Sequence, residues 1–265
     1  MTEIVRRYST FSDEYAEYRP TPPTDLIKFV QSMAPNIEKG RVIDLGCGTG
    51  LSTRVWSDFC AEAIGVEPSD EMLKKARMSS HDRNISFIKG WGHDTSLPDD
   101  SASVVTCAAS FHWMEPESTL REIKRILQPG GILAIYGPQV PPVPLGHYEV
   151  ASLCQQFLDS TKKADVLASG GTSPQAIKWA EILKLLKDPN HAKYSNEYCF
   201  HDTNYWKVAD LYMWIQTLSY VNSRIRSGDQ AIIEDFKLLQ EKCTSLLGAQ
   251  THPFLWCYRL IFGIL

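Results

Sequence analysis

The sequence lacks the cysteine patterns that mark a disulfide framework or a zinc site. Its seven cysteines are an odd number, and no two of them form a Cys-x-x-Cys pair. Small disulfide-bonded domains use an even set, and structural zinc sites use closely spaced Cys or His ligands. The sequence therefore predicts reduced, mostly buried thiols and no bound metal.

Long apolar runs and clusters of basic residues are also scarce. The longest apolar stretch, near residues 260–265, is far shorter than the roughly 20 residues that cross a bilayer. The N-terminal residues M-T-E-I-V-R-R-Y contain no apolar segment typical of a secretion signal. The net charge is −4, whereas nucleic-acid binding requires a basic stripe. We expect a cytoplasmic protein that binds neither membranes nor nucleic acids, and either a monomer or a homodimer is possible.

Apolar segments of strand length alternate with helical patterns in the first half of the chain. The 265 residues are 43% hydrophobic, which is enough for one packed domain, with or without an insertion. The predicted strands are 41–45, 63–66, 85–89, 103–108 and 132–137. Such alternation predicts a parallel sheet with helices on both faces and a binding site at the carboxyl ends of the strands.

A glycine-rich turn follows the first predicted strand. Residues 41–50 read R-V-I-D-L-G-C-G-T-G, so that an apolar run ends in Asp44. The glycines of the turn are Gly46, Gly48 and Gly50. The second apolar run ends in Glu67, whose carboxylate could accept hydrogen bonds from two vicinal ribose hydroxyls. Together these features predict a site for a cofactor that contains a nucleoside.

The spacing of the glycines distinguishes between cofactors. A dinucleotide site prefers G-x-G-x-x-G, because the pyrophosphate lies against the N-terminus of the following helix. Here the spacing is D-x-G-x-G-x-G, and the carboxylate of Asp44 is a poor neighbour for a pyrophosphate. The pattern favours a ligand with positive charge, such as S-adenosyl-L-methionine. An NAD-dependent oxidoreductase and a non-catalytic cofactor-binding protein remain as alternatives.

Several motifs resemble one family. The segment from Asp44 to Gly50 is similar to motif I of the class I S-adenosylmethionine-dependent methyltransferases. Four further matches follow in order: Gly65-Val66-Glu67-Pro68-Ser69 with Met72-Leu73, Gly92 to Pro98, Val104-Val105 with Ser110-Phe111-His112-Trp113, and Leu127-Gln128-Pro129-Gly130-Gly131-Ile132-Leu133. The N-terminal Phe11, Tyr15 and Tyr18-Arg19-Pro20, with His112-Trp113, look like the trans-aconitate methyltransferase-like subgroup.

The resemblance implies an architecture and a reaction. The fold would be α/β, with a Rossmann-like, seven-stranded, mostly parallel sheet and helices on both faces. Residues 1–40 would form a helical lid, 41–140 the cofactor-binding core, and 141–265 a substrate cover whose final strands complete the same sheet. The expected reaction is in-line methyl transfer from S-adenosyl-L-methionine to a small-molecule acceptor, on a carboxylate or hydroxyl oxygen.

The resemblance also implies a set of site residues. The expected cofactor-binding residues are Tyr15, Tyr18, Arg19, Asp44, Gly46, Cys47, Gly48, Thr49, Gly50, Glu67, Pro68, Met72, Gly92, His93, Asp94, Ser110 and Phe111. Asp44 would bind near the amino group of the cofactor, directly or through water. His112 follows the fourth strand and is the candidate general base, because histidine titrates near neutrality. It could instead orient the substrate or cap a helix.

Candidate substrate residues lie mostly in the second half of the chain. They are Trp113, His147, Tyr220, Arg224 and Arg259. Tyr220 and Arg224 are four positions apart, so that on a helix they would share a face and could meet an acidic substrate. Arg259, in the last predicted strand, is a second candidate for binding an anion, and His147 follows a proline-rich break at 138–144.

Overall fold

A computed structural model of the protein describes residues 17–169 and 177–265. The predicted lid residues Phe11 and Tyr15 lie outside this part of the chain. The helices are α1 Thr24–Met33, α2 Leu51–Arg54, α3 Asp70–Met78, α4 Pro116–Ile126, α5 Tyr148–Ala168, α6 Trp179–Leu186, α7 Val208–Gln216, α8 Ser219–Arg226 and α9 Gln230–Leu247. The strands are β1 Arg41–Leu45, β2 Glu62–Glu67, β3 Ile85–Lys89, β4 Ala102–Ala108, β5 Leu127–Pro138, β6 Val143–Pro144, β7 Tyr194–Trp206 and β8 His252–Ile264.

The strands form one mixed sheet in the order β3-β2-β1-β4-β5-β8-β6, and β7 also pairs with β8. Strands β1 to β5 run parallel to one another, and β8 runs antiparallel to β5 and β6. This confirms the predicted fold class, with the two-residue β6 as an eighth strand. The strand order reverses between β1 and β4, where the glycine turn begins, and this is the position at which open α/β sheets bind ligands.

The chain divides into two compact units. The sheet unit contains residues 21–138, 176–200 and 258–265, and the helical unit contains the described residues of 1–20, 139–175 and 201–257. These units differ from the predicted segments 1–40, 41–140 and 141–265. Helix α1, helix α6 and the end of β8 belong to the sheet unit, because their apolar side chains pack on its strands.

Helices cover both faces of the strands in the sheet unit. Apolar residues of α4 and α6, such as Ile123 and Ile182, share one buried cluster with Ile43 and Val105. Helix α1 lies on the opposite face, where Phe29 meets Phe262 with ring centroids 5.8 Å apart. Strands buried on both faces have nearly continuous apolar sequences, which is why β1 and β4 are recognisable as strands.

Tryptophans form much of the core of the helical unit. Trp256 of β8 meets Trp206 of β7 and Trp214 of α7, each at 5.3 Å between ring centroids. The sequence predicts two helices over 207–247, but the structure has three, because a turn at Thr217-Leu218 separates α7 from α8. Among the described helices, none combines the length and the apolar character needed to cross a membrane.

Candidate functional site

The glycine turn after β1 is held against β2. The amides of Gly46 and Cys47 donate to the carbonyl of Val66 at 2.8 and 3.2 Å. All three glycines of the turn have positive φ, a conformation that other residues rarely adopt. A Cβ added at Gly48 would meet no atom within 4 Å. The backbone at Gly48 therefore borders open space, where a ligand could approach it closely.

Glu67 ends β2 beside this turn and is 8% exposed. Its Oε2 accepts the amide of Gly48 and its Oε1 accepts the amide of Ser69, each at 3.0 Å. Burial raises the pKa of Glu67, although the two amide bonds oppose the shift. Each carboxylate oxygen can accept a further hydrogen bond. The arrangement can therefore bind two neighbouring hydroxyls next to the glycine turn.

Asp44 is fully buried beneath the same turn. Its Oδ2 accepts the hydroxyls of Ser52 and Thr53 at 2.6 and 2.7 Å, and its Oδ1 accepts that of Thr106 at 2.8 Å. Burial raises the pKa of Asp44, and the three hydroxyl bonds oppose the shift. These contacts attach the start of α2 to β1 and β4. Because the side chain of Asp44 has no exposed surface, we retain the part of the prediction in which Asp44 acts on the cofactor through an intervening group.

The hydroxyl of Thr49 is the clearest sign that the turn accepts a polar ligand. It is buried, and within the described residues its Oγ1 has no hydrogen-bond partner. Buried polar atoms are nearly always paired in folded proteins. An unpaired hydroxyl in the turn, beside the open space at Gly48 and the carboxylate of Glu67, fits a ligand with several polar groups, such as S-adenosyl-L-methionine.

Some predicted cofactor residues have side chains that pack within the protein. Phe111 is fully buried in the main apolar cluster, and Cys47 packs with Phe87 in a smaller one. Burial raises the pKa of the Cys47 thiol well above its ordinary value. Met72 is also buried, and Ser110 donates its hydroxyl to the carbonyl of Leu45 at 2.6 Å. For Phe111 and Cys47, contact with a cofactor would have to come from the backbone.

The loop after β3 lies close to the glycine turn. The amide of Trp91 donates to the carbonyl of Asp94 and the amide of Asp94 to that of Trp91, at 2.9 and 3.1 Å. A Cβ added at Gly92 would lie 2.6 Å from Sδ of Met114, and one added at Gly46 would lie 3.1 Å from its Cε. Met114 therefore packs between the two loops.

Three residues of this region were missed by the sequence analysis, and each lacked a usable signal. Met114 directly follows the motif that ends at Trp113, and a single apolar residue there carries no indication of a binding role. Glu122 and Arg125 are three positions apart in a helix, which usually indicates an exposed ion pair. In the structure Glu122 is buried and accepts bonds from Thr95 of the loop after β3.

His112 and Trp113 belong to a single 3-10 turn, Phe111–Trp113, at the carboxyl end of β4. Their ring centroids are 4.8 Å apart. The carbonyl of His112 accepts the amide of Ile177 at 3.0 Å, which fixes the start of the segment leading to α6. Both residues therefore lie at the edge of the sheet unit that is formed by the carboxyl ends of its parallel strands. The role of His112 as a general base stays a prediction.

Several predicted residues belong to the helical unit. They are Tyr18, Arg19, His147, Tyr220 and Arg224. Arg19 donates from Nη2 to the carbonyl of Thr217 at 2.9 Å. His147 precedes α5 and meets the ring of His252 edge-on, with centroids 5.0 Å apart. A hydrogen bond with Glu17 raises the pKa of Tyr18.

The two arginines predicted to bind an anion both have carboxylate partners. Arg224 donates from Nε and Nη2 to Oδ2 of Asp229, at 3.1 and 2.5 Å. In the sheet unit, Arg259 donates from Nε to Glu197, and its guanidinium lies 5.4 Å from the ring centroid of Trp179. Neither arginine presents an uncompensated charge, so neither is favoured as an anchor for an acidic substrate. Within residues 17–169 and 177–265, no group of three or more His, Cys, Asp or Glu is placed to hold a metal ion.

Comparisons with known proteins find methyltransferases among the relatives of this chain. Residues 43–135 match the model of the methyltransferase domain family. CRG1 of Saccharomyces cerevisiae, named as an S-adenosylmethionine-dependent methyltransferase, is 31% identical over 130 residues, which cover 47% of this chain and 44% of CRG1. The methyltransferase C1B3.06c of Schizosaccharomyces pombe is 27% identical over 229 residues, covering 79% of this chain and 76% of that protein.

A solved structure from Anaeromyxobacter dehalogenans, described as a candidate type II methyltransferase, shares the fold. Its TM-score is 0.69 at 20% identity, and the match covers 93% of this chain and 98% of the other. The fold and the site thus define a nucleoside-cofactor domain of the Rossmann-like class. More specifically, residues 43–135 carry a methyltransferase domain of the class I S-adenosylmethionine-dependent type, for which S-adenosyl-L-methionine is the cofactor. The resemblance to the trans-aconitate subgroup stays a prediction. The match to CRG1 spans less than half of that relative.

Proposed function

We propose that the protein transfers a methyl group from S-adenosyl-L-methionine to an oxygen atom of a small molecule. The observation that carries this proposal is the carboxylate of Glu67, which is bonded to the amide of Gly48 beside the open glycine turn. Binding of the cofactor there would leave its methyl group near the carboxyl end of β4, where His112 and Trp113 lie. The activity expected from the sequence agrees with this arrangement.

We propose a task for each of five residues in the sheet unit. Glu67 accepts hydrogen bonds from the ribose hydroxyls, and the turn at Gly48 and Thr49 receives the polar part of the methionyl group. When bound, the cofactor supplies a methyl group on a sulfonium, whose departure as a neutral thioether drives the displacement. His112 accepts the proton of an acceptor hydroxyl, and Trp113 excludes water from the reacting atoms.

The paired arginines favour one type of acceptor. The sequence leaves both a carboxylate and a hydroxyl open as the methyl acceptor. Because Arg224 is bonded to Asp229 and Arg259 to Glu197, neither side chain offers a free positive charge to a carboxylate. We therefore propose a neutral molecule with a hydroxyl group, which needs the general base that His112 can provide. The cytoplasmic location and the monomeric or homodimeric state also stay predictions.

Thermal unfolding in the presence of two ligands tests the cofactor first. S-adenosylhomocysteine at about 100 times its Kd should add about 2.7 kcal/mol to the free energy of unfolding. For a chain of this size that raises the Tm by about 5–10 °C. NAD at the same concentration should leave the Tm unchanged. The opposite result would favour the NAD-dependent oxidoreductase.

The acceptor is found by incubating the protein with methyl-labelled cofactor and a metabolite extract. The expected product carries the label and gains the mass of one CH₂ on a hydroxyl oxygen. A matched incubation with the His112→Gln variant should yield much less product, by about a hundredfold, if His112 is the base. Binding of the cofactor with no labelled product from any extract would favour a non-catalytic cofactor-binding protein.

A further inference from the structure

Glu122 of α4 is a buried carboxylate that no step of the proposed reaction uses. Its Oε1 accepts the amide of Thr95 at 2.9 Å and the hydroxyl of Thr95 at 2.5 Å. The same hydroxyl accepts the amide of Leu97 at 3.3 Å. Thr95 itself is fully buried. One carboxylate oxygen thus fixes the middle of the loop that follows β3.

Arg125 completes this attachment. It donates from Nε to Oε2 of Glu122 at 2.8 Å and from Nη2 to Oε1 at 2.7 Å. Its Nη1 reaches Oδ1 of Asp99 at 2.5 Å, and its carbonyl accepts the amide of Asp100 at 3.0 Å. Burial raises the pKa of Glu122, but the bonds from Arg125 and Thr95 outweigh it and lower the pKa to about 2. The carboxylate is therefore ionised at neutral pH.

The loop held in this way continues into the segment beside the glycine turn. Thr95 directly follows Asp94, whose amide and carbonyl close the tight turn with Trp91. Gly92 of that turn packs on Met114, which also packs on Gly46. A displacement of Thr95 would therefore move the residues that border the cofactor site. A bidentate, buried carboxylate is a rigid way to prevent such a displacement.

The loop after β3 begins beside Glu67, because Lys89 pairs with Glu67 and the amide of Gly90 donates to its carbonyl. We infer that Glu122 is a positioning residue for the base of the cofactor: through Thr95 it holds residues 92–94 of this loop where a base attached to a ribose at Glu67 would contact them. This inference rests on the proposed function, because it assumes that the nucleoside occupies the site at Gly48 and Glu67. Glu122 does not touch the ligand. It determines how well the protein distinguishes adenine from a base that lacks the exocyclic amino group.

The test compares the Kd of S-adenosylhomocysteine with that of S-inosylhomocysteine, in which an oxygen replaces the amino group of the base. We expect the wild-type protein to bind the adenosyl compound more tightly. In Glu122→Gln the amide nitrogen faces the donors of Arg125, so the bonds that hold Thr95 and Arg125 to this side chain weaken. The ratio of the two Kd values should then fall about tenfold, while the Kd of the inosyl compound changes little.

Glu117→Gln is the matched control, because it removes the same charge from an exposed position of the same helix. Its ratio should equal that of the wild type. If Glu122→Gln does not fold, Thr95→Val removes the hydroxyl donor and leaves the ion pair, and the ratio should fall by a smaller factor. Thr95→Ser retains the hydroxyl and should restore the wild-type ratio.

The outcomes separate the two proposals. A wild-type protein that binds neither compound contradicts the proposed function, and this inference falls with it. A wild-type protein that binds both compounds equally contradicts the inference alone. So does a folded Glu122→Gln or Thr95→Val variant whose ratio matches the wild type, since a merely structural ion pair would weaken both compounds alike or neither.

Discussion

At the scale of single residues, Gly48 and Gly50 are required for different physical reasons. Both have positive φ, +57° and +79°. A Cβ at Gly50 would lie 2.7 Å from the ring of Phe87, whereas one at Gly48 would meet no atom within 4 Å. Position 50 therefore requires glycine because a larger side chain would overlap Phe87. At position 48 the absence of a side chain leaves the backbone open to a ligand. A sequence motif cannot distinguish these two roles, because the ring of Phe87 comes from a different strand.

Alanine substitutions should separate the two roles. Gly50→Ala should lower the free energy of unfolding by about 2 kcal/mol or more, because it combines a strained φ with overlap against a buried ring. Gly48→Ala should cost about 1 kcal/mol from φ alone, but its methyl group enters the space proposed for the cofactor. Urea denaturation and calorimetric titration with S-adenosylhomocysteine measure the two effects. A Gly48→Ala variant with undiminished affinity would contradict the proposed site.

The raised pKa of Glu67 leads us to expect that cofactor affinity depends on pH. Ribose hydroxyls bind the ionised carboxylate better, so cofactor affinity should be full above the pKa of Glu67 and fall as the pH drops through it. Because burial raises the pKa of Glu67, the loss should begin at a higher pH than for an exposed glutamate. Titrations with S-adenosylhomocysteine across this range provide the measurement. Glu67→Gln should bind weakly, and its affinity should lack this step.

Part of the site could be predicted from local sequence, and part could not. The turn and Glu67 are evident because each directly follows an apolar strand. The hydroxyl partners of Asp44 are not, because Thr106 lies on another strand and becomes a neighbour only when β1 and β4 pair. The same holds for Glu122, whose partner Thr95 is 27 positions away. Contacts between distant segments depend on register, which a single sequence does not reveal.

At the scale of elements, the start of α3 connects the site to the fold. Ser69 precedes the helix and accepts the amide of Met72 on its hydroxyl at 3.3 Å. Its own amide donates to Glu67. The side chain therefore caps the helix, and the backbone holds the carboxylate. The two functions of Ser69 can be separated by a substitution that removes the hydroxyl but retains the amide.

Ser69→Ala should destabilise the protein by about 1 kcal/mol, because the cap of α3 is lost. Cofactor affinity should stay within about twofold of the wild type, since the amide bond to Glu67 remains. Chemical denaturation and a binding titration on the same preparation test both expectations. Ser69→Thr, which preserves a capping hydroxyl, is the control. A large loss of affinity in Ser69→Ala would mean that the hydroxyl itself contacts the ligand.

Elements with a continuous apolar sequence were predicted well, and irregular ones were not. Strands β1 to β4 lie within one residue of their predicted bounds. Strands β1, β2 and β4 are buried along nearly their whole length, whereas β3 buries only Phe87. Strand β5 begins at Leu127, five residues earlier than predicted, and β6 has only two residues. Three helices occupy 207–247, where the sequence predicts two. The boundary between α8 and α9 is marked by Gly228, which has positive φ, and by Asp229, which caps α9 through its bond to the amide of Ile232.

At the scale of the whole molecule, the cysteines report on how the chain is packed. Cys199 is exposed, Cys257 is half-buried and the other five cysteines are buried. Burial raises the pKa of the Cys60 thiol to about 11, which suppresses its reactive thiolate form. The distribution agrees with the reduced, mostly buried thiols that the sequence predicts.

Titration with a coloured thiol reagent should therefore show distinct phases. The native protein should react rapidly at Cys199, slowly at Cys257, and at the five buried thiols only after addition of denaturant. Cys199→Ser should remove the rapid phase and leave the others unchanged. Fewer than seven thiols in denaturant, without a reducing agent, would reveal a disulfide and contradict the structure.

The two amide bonds of Glu67 are made entirely within the chain, so the proposed ribose-binding site is formed before any ligand binds. A cavity organised in advance loses little conformational entropy on capture. Encounter should then be fast and nearly the same for related nucleosides, and selectivity should be expressed in how long each one stays. The residence time of a ligand, more than its rate of arrival, would record how well its sugar and base match this pocket.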